Sequence, residues 1–320
     1  MRVVVIGGTG HVGTYLVPRL VEAGHEVINI SRGGREPYRP HKAWDHIQHI
    51  TMDREQEEKG GTFGKTVRTL YPDAVIDMIC FTLDSAHSLV RALRGQVQHF
   101  LHCGTIWVHG HSVEVPTTEE QPRYPFGDYG IQKAAIETFL LREARLNGFP
   151  ATVLHPGHIV GPGWAPLNPA GNFNLDVFRI LSGGETLTLP GLGLETVHHV
   201  HADDVAQAFM RALSRWSAAL GESFHVVSPK ALTLRGYAEA VYAWFGKQPE
   251  LQFLPWEEWR ATVSEEDAAM TWDHIAHSPC CSISKARNLL GYEPRYRSPD
   301  AVFEALEWYI EQGDSIVSGL

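Results

Sequence analysis

Residues 1–20 read MRVVVIGGTGHVGTYLVPRL, and this stretch decides the fold. Val3, Val4, Val5 and Ile6 form a short apolar run without alternation. Such a run suits a strand covered on both faces, as in a parallel sheet. Gly7, Gly10 and Gly13 then recur at every third position, and Leu16, Val17, Leu20 and Val21 fall at helical spacing over residues 15–22. Strand, glycine loop and helix together make a pyrophosphate site. The glycines permit a tight turn and close backbone approach, and the helix N-terminus presents unpaired N–H groups at the positive end of its dipole. The spacing is GxxGxxG rather than GxGxxG. Thr9, His11 and Val12 complete the loop and join the three glycines as cofactor-binding candidates.

Working outward, strand-like runs alternate with helical stretches. HEVINIS (25–31), IQHITMD (47–53), AVIDMICF (74–81), HFLHCGTIWV (99–108) and ATVLHPGHIV (151–160) read as strands two to six, and SFHVVS (223–228) as a seventh. Helical spacing falls between most of them, as at 85–93, 130–147 and 202–213. This rhythm predicts an α/β chain with a doubly wound, Rossmann-like parallel sheet. It breaks at GPGWAPLNPAGNFN (161–174), a loop by composition. From about residue 228 the chain is mostly helical, most clearly in LTLRGYAEAVYAWFG (232–246) and SPDAVFEALEWYIEQ (298–312). The expected division is a dinucleotide-binding domain of 1–163 plus about 196–228, and a smaller, mostly helical C-terminal substrate lobe of about 164–195 and 229–320.

Composition narrows the function. The 320 residues carry a formal net charge of -10, which argues against a general nucleic-acid binder. Cys80, Cys103, Cys280 and Cys281 show neither metal spacing nor a disulfide framework, so a reducing cytoplasm is expected. No signal peptide precedes the first strand, and no apolar run approaches a membrane-spanning length. Of the 18 histidines, the run TVHHVHADD (196–204) is the densest. It reads as a strand-to-helix junction, and no metal site is expected.

The candidate chemistry lies in DYGIQK (128–133) and HCGTIWVHG (102–110). Tyr129 and Lys133 are four apart and share a helix face. An ammonium beside a phenol favours the phenolate, and a tyrosine so tuned gives or takes a proton at an alcohol carbon. Thr105 sits at the end of the fifth strand, where such sheets line their ligand crevice.

The chain resembles an extended short-chain dehydrogenase/reductase of the NAD(P)-dependent epimerase/dehydratase kind. The resemblance rests on GGTGHVG, DYGIQK, Thr105 five residues ahead of Gly110, HPGHIVGPG, HHVHADDVAQAF and SISKARNLLGYEP, in the family's order. It implies Tyr129 as the acid/base, Lys133 on the nicotinamide ribose and Thr105 as the hydroxyl partner. It also implies Asp53 near the adenine, Cys80 and Phe81 over the cofactor, and Pro156 and Gly157 beside the nicotinamide. At the end of the second strand Ser31 replaces the acid that would accept from a ribose 2′-hydroxyl, and Arg32 and Arg35 follow. Those arginines favour NADP(H) by pairing with a 2′-phosphate, with NAD(H) as the alternative. Ile106 and Trp107 stand where family dehydratases carry Asp-Glu, so dehydration by that pair is excluded. His158 stands where many members have Asn, and HSPCC (277–281) where they carry the arginine that grips a substrate pyrophosphate.

The expected activity is NADP(H)-dependent oxidation, reduction or epimerisation of a carbohydrate hydroxyl or ketone. A nucleotide-sugar epimerase using NAD is the alternative within the class, and a nucleotide-sensing or RNA-associated scaffold the alternative outside it. Phe81, Trp107, His109 and His158 are the substrate-side candidates, with His155 a further one, and the Trp256–Trp259 region another place for sugar stacking. The expected partner is a small carbohydrate, with no nucleic acid or membrane, and a homodimer is among the expected assemblies.

Overall fold

A computed structural model describes residues 1–313. In chain order, the first half builds β1 (Arg2–Ile6), α1 (Gly13–Glu22), β2 (Glu26–Ser31), β3 (Gln48–Thr51), α2 (Arg54–Lys59), α3 (Phe63–Thr69), β4 (Ala74–Asp77), α4 (Leu83–Leu93), β5 (His99–Cys103), α5 (Gly127–Asn147) and β6 (Ala151–Pro156). There follow β7 (His158–Val160), α6 (Asp176–Gly183), β8 (Leu187–Pro190), β9 (Thr196–Val197), β10 (His199–His201), α7 (Ala202–Ser214), α8 (Trp216–Ala219) and β11 (Ser223–Val226). The chain continues through β12 (Leu232–Thr233), α9 (Leu234–Trp244), β13 (Leu251–Leu254), α10 (Trp256–Trp259), α11 (Glu265–His277), α12 (Ser284–Leu290) and α13 (Ser298–Glu311).

Among the described residues, seven strands form one sheet in the order β11-β6-β5-β4-β1-β2-β3, every neighbouring pair parallel. Both faces are covered, which is why β1 shows no polar alternation. Val3 and Val5 point into one core with α1 and α7, and Val4 and Ile6 into the other with α3 and α4. Full burial of each such side chain contributes about 1.5–3 kcal/mol. From β1 the chain runs outward to β2 and β3, then crosses back to β4 on the other side. That reversal opens a crevice at the C-terminal ends of β1 and β4, where ligands of such sheets bind.

A third core lies apart from the sheet. It joins Leu167, Phe178, Leu189, Tyr237, Tyr242, Trp259 and Leu306, from α6, α9, α13 and the short β8–β13 pair. The segment around α12, which the expected division gives to the smaller lobe, packs instead with the sheet core through Ile283, Ala286, Leu290 and Tyr292.

The expected sixth strand divides. Residues 151–156 stay in the sheet, whereas His158–Val160 leave it and pair with β10. The break is at Gly157, where a Cβ would lie 2.3 Å from the carbonyl oxygen of His198. Only glycine lets the two segments pass this closely.

Candidate active site

The glycine loop is built by backbone contact. The Gly10 N–H donates to the Gly7 carbonyl at 3.2 Å, and a Cβ on Gly13 would fall 1.9 Å from the Gly8 oxygen. Helix α1 begins at Gly13 with no side-chain cap, and the Thr14 and Tyr15 N–H groups already donate to the Gly10 and Val12 carbonyls at 3.0 and 3.1 Å, so a ligand meets the amides that precede them. Beside it opens a cleft of about 650 Å³, lined by Gly7, Thr9, Gly10, Ser31, Arg32, Gly33, Arg35, Met52, Asp53, Arg54, Ile79 and Phe81 among others. The space and the uncapped helix end fit a dinucleotide, whose phosphates need N–H donors rather than side-chain bulk.

At the far edge of this cleft the arginines Arg32 and Arg35 are exposed, and Arg35 donates to the Tyr38 hydroxyl at 2.6 Å. Ser31 Oγ lies 2.9 Å from His49 Nε2. Asp53 caps α2 by accepting from the Gln56 N–H at 3.1 Å. Three loop and strand residues turn their side chains elsewhere. The His11 ring stacks on Trp164 with centroids 5.0 Å apart, Val12 enters the sheet core, and Cys80 is buried with Sγ toward the Thr82 carbonyl at 3.6 Å. What His11 and Val12 have to offer a phosphate is their backbone.

Thr105 follows β5 and opens a tight turn over Ile106–His109, accepting from the Trp107 N–H at 3.3 Å. The phenol of Tyr129, on the first turn of α5, stands near enough to feel the Thr105 hydroxyl. The crevice wall desolvates that phenol and pushes its pKa up to about 12, while the Thr105 hydroxyl pulls it down. Lys133 does not supply the expected effect here. It is 2% exposed, its Nζ donates to the Cys103 carbonyl at 2.7 Å, and it stands 5.8 Å from the Tyr129 ring centroid and 4.9 Å from that of Phe81. Burial lowers its own pKa.

A tyrosine, a threonine and a lysine thus gather where β5 ends, beside a glycine-loop cleft. The sequence matches the model of the NAD dependent epimerase/dehydratase family over residues 3–226. The chain belongs to that family. A 2′-dehydrokanamycin reductase from Streptomyces kanamyceticus is 28% identical over 320 residues, covering 98% of this chain and 86% of the relative. A UDP-glucose 4-epimerase from Mycolicibacterium smegmatis is 23% identical, covering 97% and 98%. The crystal structure of the UDP-glucose 4-epimerase of Thermotoga maritima, solved with UDP-glucose, aligns with a TM-score of 0.74 at 20% identity, covering 98% of this chain and all of that one. With epimerases, dehydratases and reductases as relatives, this member of the epimerase/dehydratase family is an enzyme.

Around this corner the structure sorts the remaining candidates. Trp107 meets Tyr129 edge-on with centroids 6.1 Å apart and stacks on His277 at 4.1 Å. His158 lines a small closed cleft with Ile106, Trp107, Leu167, His198 and His274, and its Nε2 is buried without a partner. Burial drives its pKa well below the ordinary value, so the ring is neutral. Pro156 and Gly157 close the end of β6. Two expectations need correction. His109 does not reach the crevice. The turn that aims Trp107 outward sends His109 inward, with Nε2 2.8 Å from His225 Nε2. His155 likewise is fully buried behind Thr105 and not at a substrate surface. Among the described residues, no group of three or more His, Cys, Asp or Glu could hold a metal ion, and no helix is long and apolar enough to cross a membrane.

Several site residues escaped the sequence reading. Arg54 lines the cleft and pairs with Asp77 and Glu58, each at 2.7 Å. His274 and His277, three apart on α11, wall the corner beside Trp107. The WDHIAH spacing (272–277) carried that signal. Glu137, eight residues after Tyr129, lies on the same helix face.

Proposed function

We propose that this enzyme is an NADP(H)-dependent oxidoreductase or epimerase acting on a carbohydrate hydroxyl or ketone. The observation that carries the reading is the gathering of Thr105, Tyr129 and Lys133 at the end of β5, beside the glycine-loop cleft. The nicotinamide, when bound, supplies or accepts the hydride. Tyr129 gives its phenolic proton to the carbonyl oxygen as the carbon is reduced, and takes it back in the reverse direction. Thr105 hydrogen-bonds the same oxygen. Gly7, Gly10 and the start of α1 hold the pyrophosphate, Asp53 and Met52 border the adenine, and Phe81 lies over the cofactor. Lys133 holds the ribose, and Pro156 and Gly157 flank the nicotinamide. Trp107 and His158 bound the sugar, His158 with its free Nε2.

The cofactor choice rests on Ser31, Arg32 and Arg35 at the cleft edge, two exposed cations and no carboxylate at the end of β2. The substrate choice rests on the arginines Arg179, Arg235, Arg260, Arg287 and Arg295, which among the described residues pair with separate carboxylates and do not converge on one partner. The relative named 2′-dehydrokanamycin reductase is named for a substrate that is not a nucleotide sugar. The 4-epimerase relative, which spans nearly the whole chain, favours the second reading, an NAD-using nucleotide-sugar epimerase. The deciding experiment denatures the purified protein and identifies the nucleotide released, then titrates the stripped protein by calorimetry. NADP(H) is expected to be found and to bind more tightly than NAD(H). Arg32→Ala is expected to reduce that preference by roughly 1–3 kcal/mol. Equal or tighter NAD binding to the wild type would overturn the choice.

A further inference from the structure

Behind Tyr129 and Thr105 lies a buried polar chain that proton transfer does not use. The backbone N–H of Thr105 donates to His155 Nδ1 at 3.0 Å. A backbone amide always carries its hydrogen, so Nδ1 is an acceptor and the ring proton sits on Nε2. Nε2 lies 2.9 Å from Oε1 of Glu137. Arg123 grips the same carboxylate with both ends of its fork, Nε to Oε2 at 3.0 Å and Nη2 to Oε1 at 2.8 Å. Burial alone would raise the Glu137 carboxyl, but contact with His155 and Arg123 holds it well below the usual carboxylate range. The imidazole is seated hard against the strand end. A Cβ at Gly104 would lie 2.4 Å from Nδ1.

The placement follows the helix. Tyr129, Lys133 and Glu137 recur every fourth residue and share one face of α5. Tyr129 faces the crevice, Lys133 reaches the Cys103 carbonyl, and Glu137 reaches the ring beneath Thr105. Three steps along one helix face therefore hold three successive depths of the β5 end. A buried ion pair is weak evidence for stability, because apolar side chains of similar volume serve a core as well. This one has a terminus, and the terminus is the backbone of Thr105.

We propose that His155, in ion-pair contact with Glu137, is a positioning residue that fixes the Thr105 backbone and so places the Thr105 hydroxyl on the Tyr129 side of the β5 end. The imidazole touches no reacting atom and acts through the main chain. The inference rests on Tyr129 and Thr105 working as one acid/base pair.

The test reads the titration of Tyr129 directly and needs no substrate. Labelling the full chain with 3-fluorotyrosine lowers every phenol pKa, and the ¹⁹F resonance of residue 129 is identified by its loss in Tyr129→Phe. The ionisable groups facing this phenol are Cys103 from β5 and Lys133 from its own helix, with His274 and His277 of α11 behind Trp107. Thr105→Val removes the hydroxyl that lowers the pKa, so the titration is expected to rise by about one pH unit. His155→Gln overlays Nε2, keeps the Glu137 contact and withdraws the acceptor from Thr105. It is expected to raise the titration by a similar amount, with nothing added in the double variant. His155→Asn, whose Oδ1 overlays Nδ1 but which loses the Glu137 contact, is expected to return it part of the way and no further than Glu137→Gln leaves it.

An unmoved titration in His155→Gln, beside a raised one in Thr105→Val, overturns the positioning role and leaves the pair standing. An unmoved titration in Thr105→Val overturns the pair and the inference with it. Shifts that merely track the thermal unfolding midpoint in every variant, His155→Asn included, reduce the chain to a structural one and overturn the proposal as well. If His155→Gln does not fold, Glu137→Gln replaces it. That variant keeps the volume and loosens the clamp, and is expected to shift the titration the same way by less. No shift there overturns the proposal too.

Discussion

In the proposed mechanism Tyr129 enters as a phenol. With its pKa pushed up to about 12, it carries its proton throughout the neutral range and is set to donate to a carbonyl oxygen. The same burial opposes the phenolate that alcohol oxidation needs. Thr105 is the group that works against this, through its hydroxyl. Removing the phenolic oxygen while keeping the ring isolates the proton-transfer role. Tyr129→Phe is expected to lower turnover by a factor of about 10² or more, with cofactor affinity measured by calorimetry nearly unchanged. Near-normal turnover in this variant would remove Tyr129 from the mechanism. The four-residue spacing correctly put Tyr129 and Lys133 on one face, but spacing carries no depth. Tyr129 is 44% exposed and Lys133 is buried, so the ammonium serves a strand carbonyl instead of the phenol.

The glycine loop shows which of its positions the backbone requires. At Gly13 a side chain would collide with the Gly8 carbonyl, and both atoms belong to main chain fixed between β1 and α1. At Gly34, on the rim of the same cleft, an added Cβ meets nothing within 4 Å and the φ is ordinary. Gly13→Ala is therefore expected to lower the thermal unfolding midpoint and abolish cofactor binding. Gly34→Ala is expected to leave the midpoint unchanged within about 0.5 kcal/mol. A Gly13→Ala protein with wild-type stability and affinity would mean that the loop rearranges freely. Elements of this kind were legible because their pattern is local: β1 announced itself by four apolar residues, and the order of strands and helices followed. The division of 151–160 at Gly157 was not legible. Both halves are extended and apolar, and the reason for the break is the distant His198 carbonyl.

At the scale of the whole molecule, what the sequence could not show is convergence. Glu137, His155, Arg123 and Thr105 are scattered along the chain and meet only because α5 packs across β5 and β6. The substrate question turns on the same property. A diphosphate buried without cations is costly, so a nucleotide-sugar site needs arginines brought together from separate elements. Five arginines of the smaller lobe and its flank are candidates, and each is engaged by its own neighbouring carboxylate. Arg179 pairs with Asp176 and Glu185, Arg235 with Glu239, Arg260 with Glu257, Arg287 with Glu293 and Arg295 with Asp203. No two of them share a partner. Such surface pairs are weak, about 0–1 kcal/mol, and could be exchanged for a phosphate one at a time. Gathering several on one diphosphate would need α6, α9, α12 and the turn after α10 to close together. Near Tyr129 the walls are Trp107, His158, His274 and His277, rings without a fixed charge. Uridine or thymidine diphosphate alone is therefore expected to bind at millimolar strength or poorer, about −4 kcal/mol or less favourable. The measurement is a calorimetric titration of the cofactor-loaded protein. Low-micromolar binding would require a cation cluster formed on ligand entry, and would restore the nucleotide-sugar substrate in place of the simpler carbohydrate.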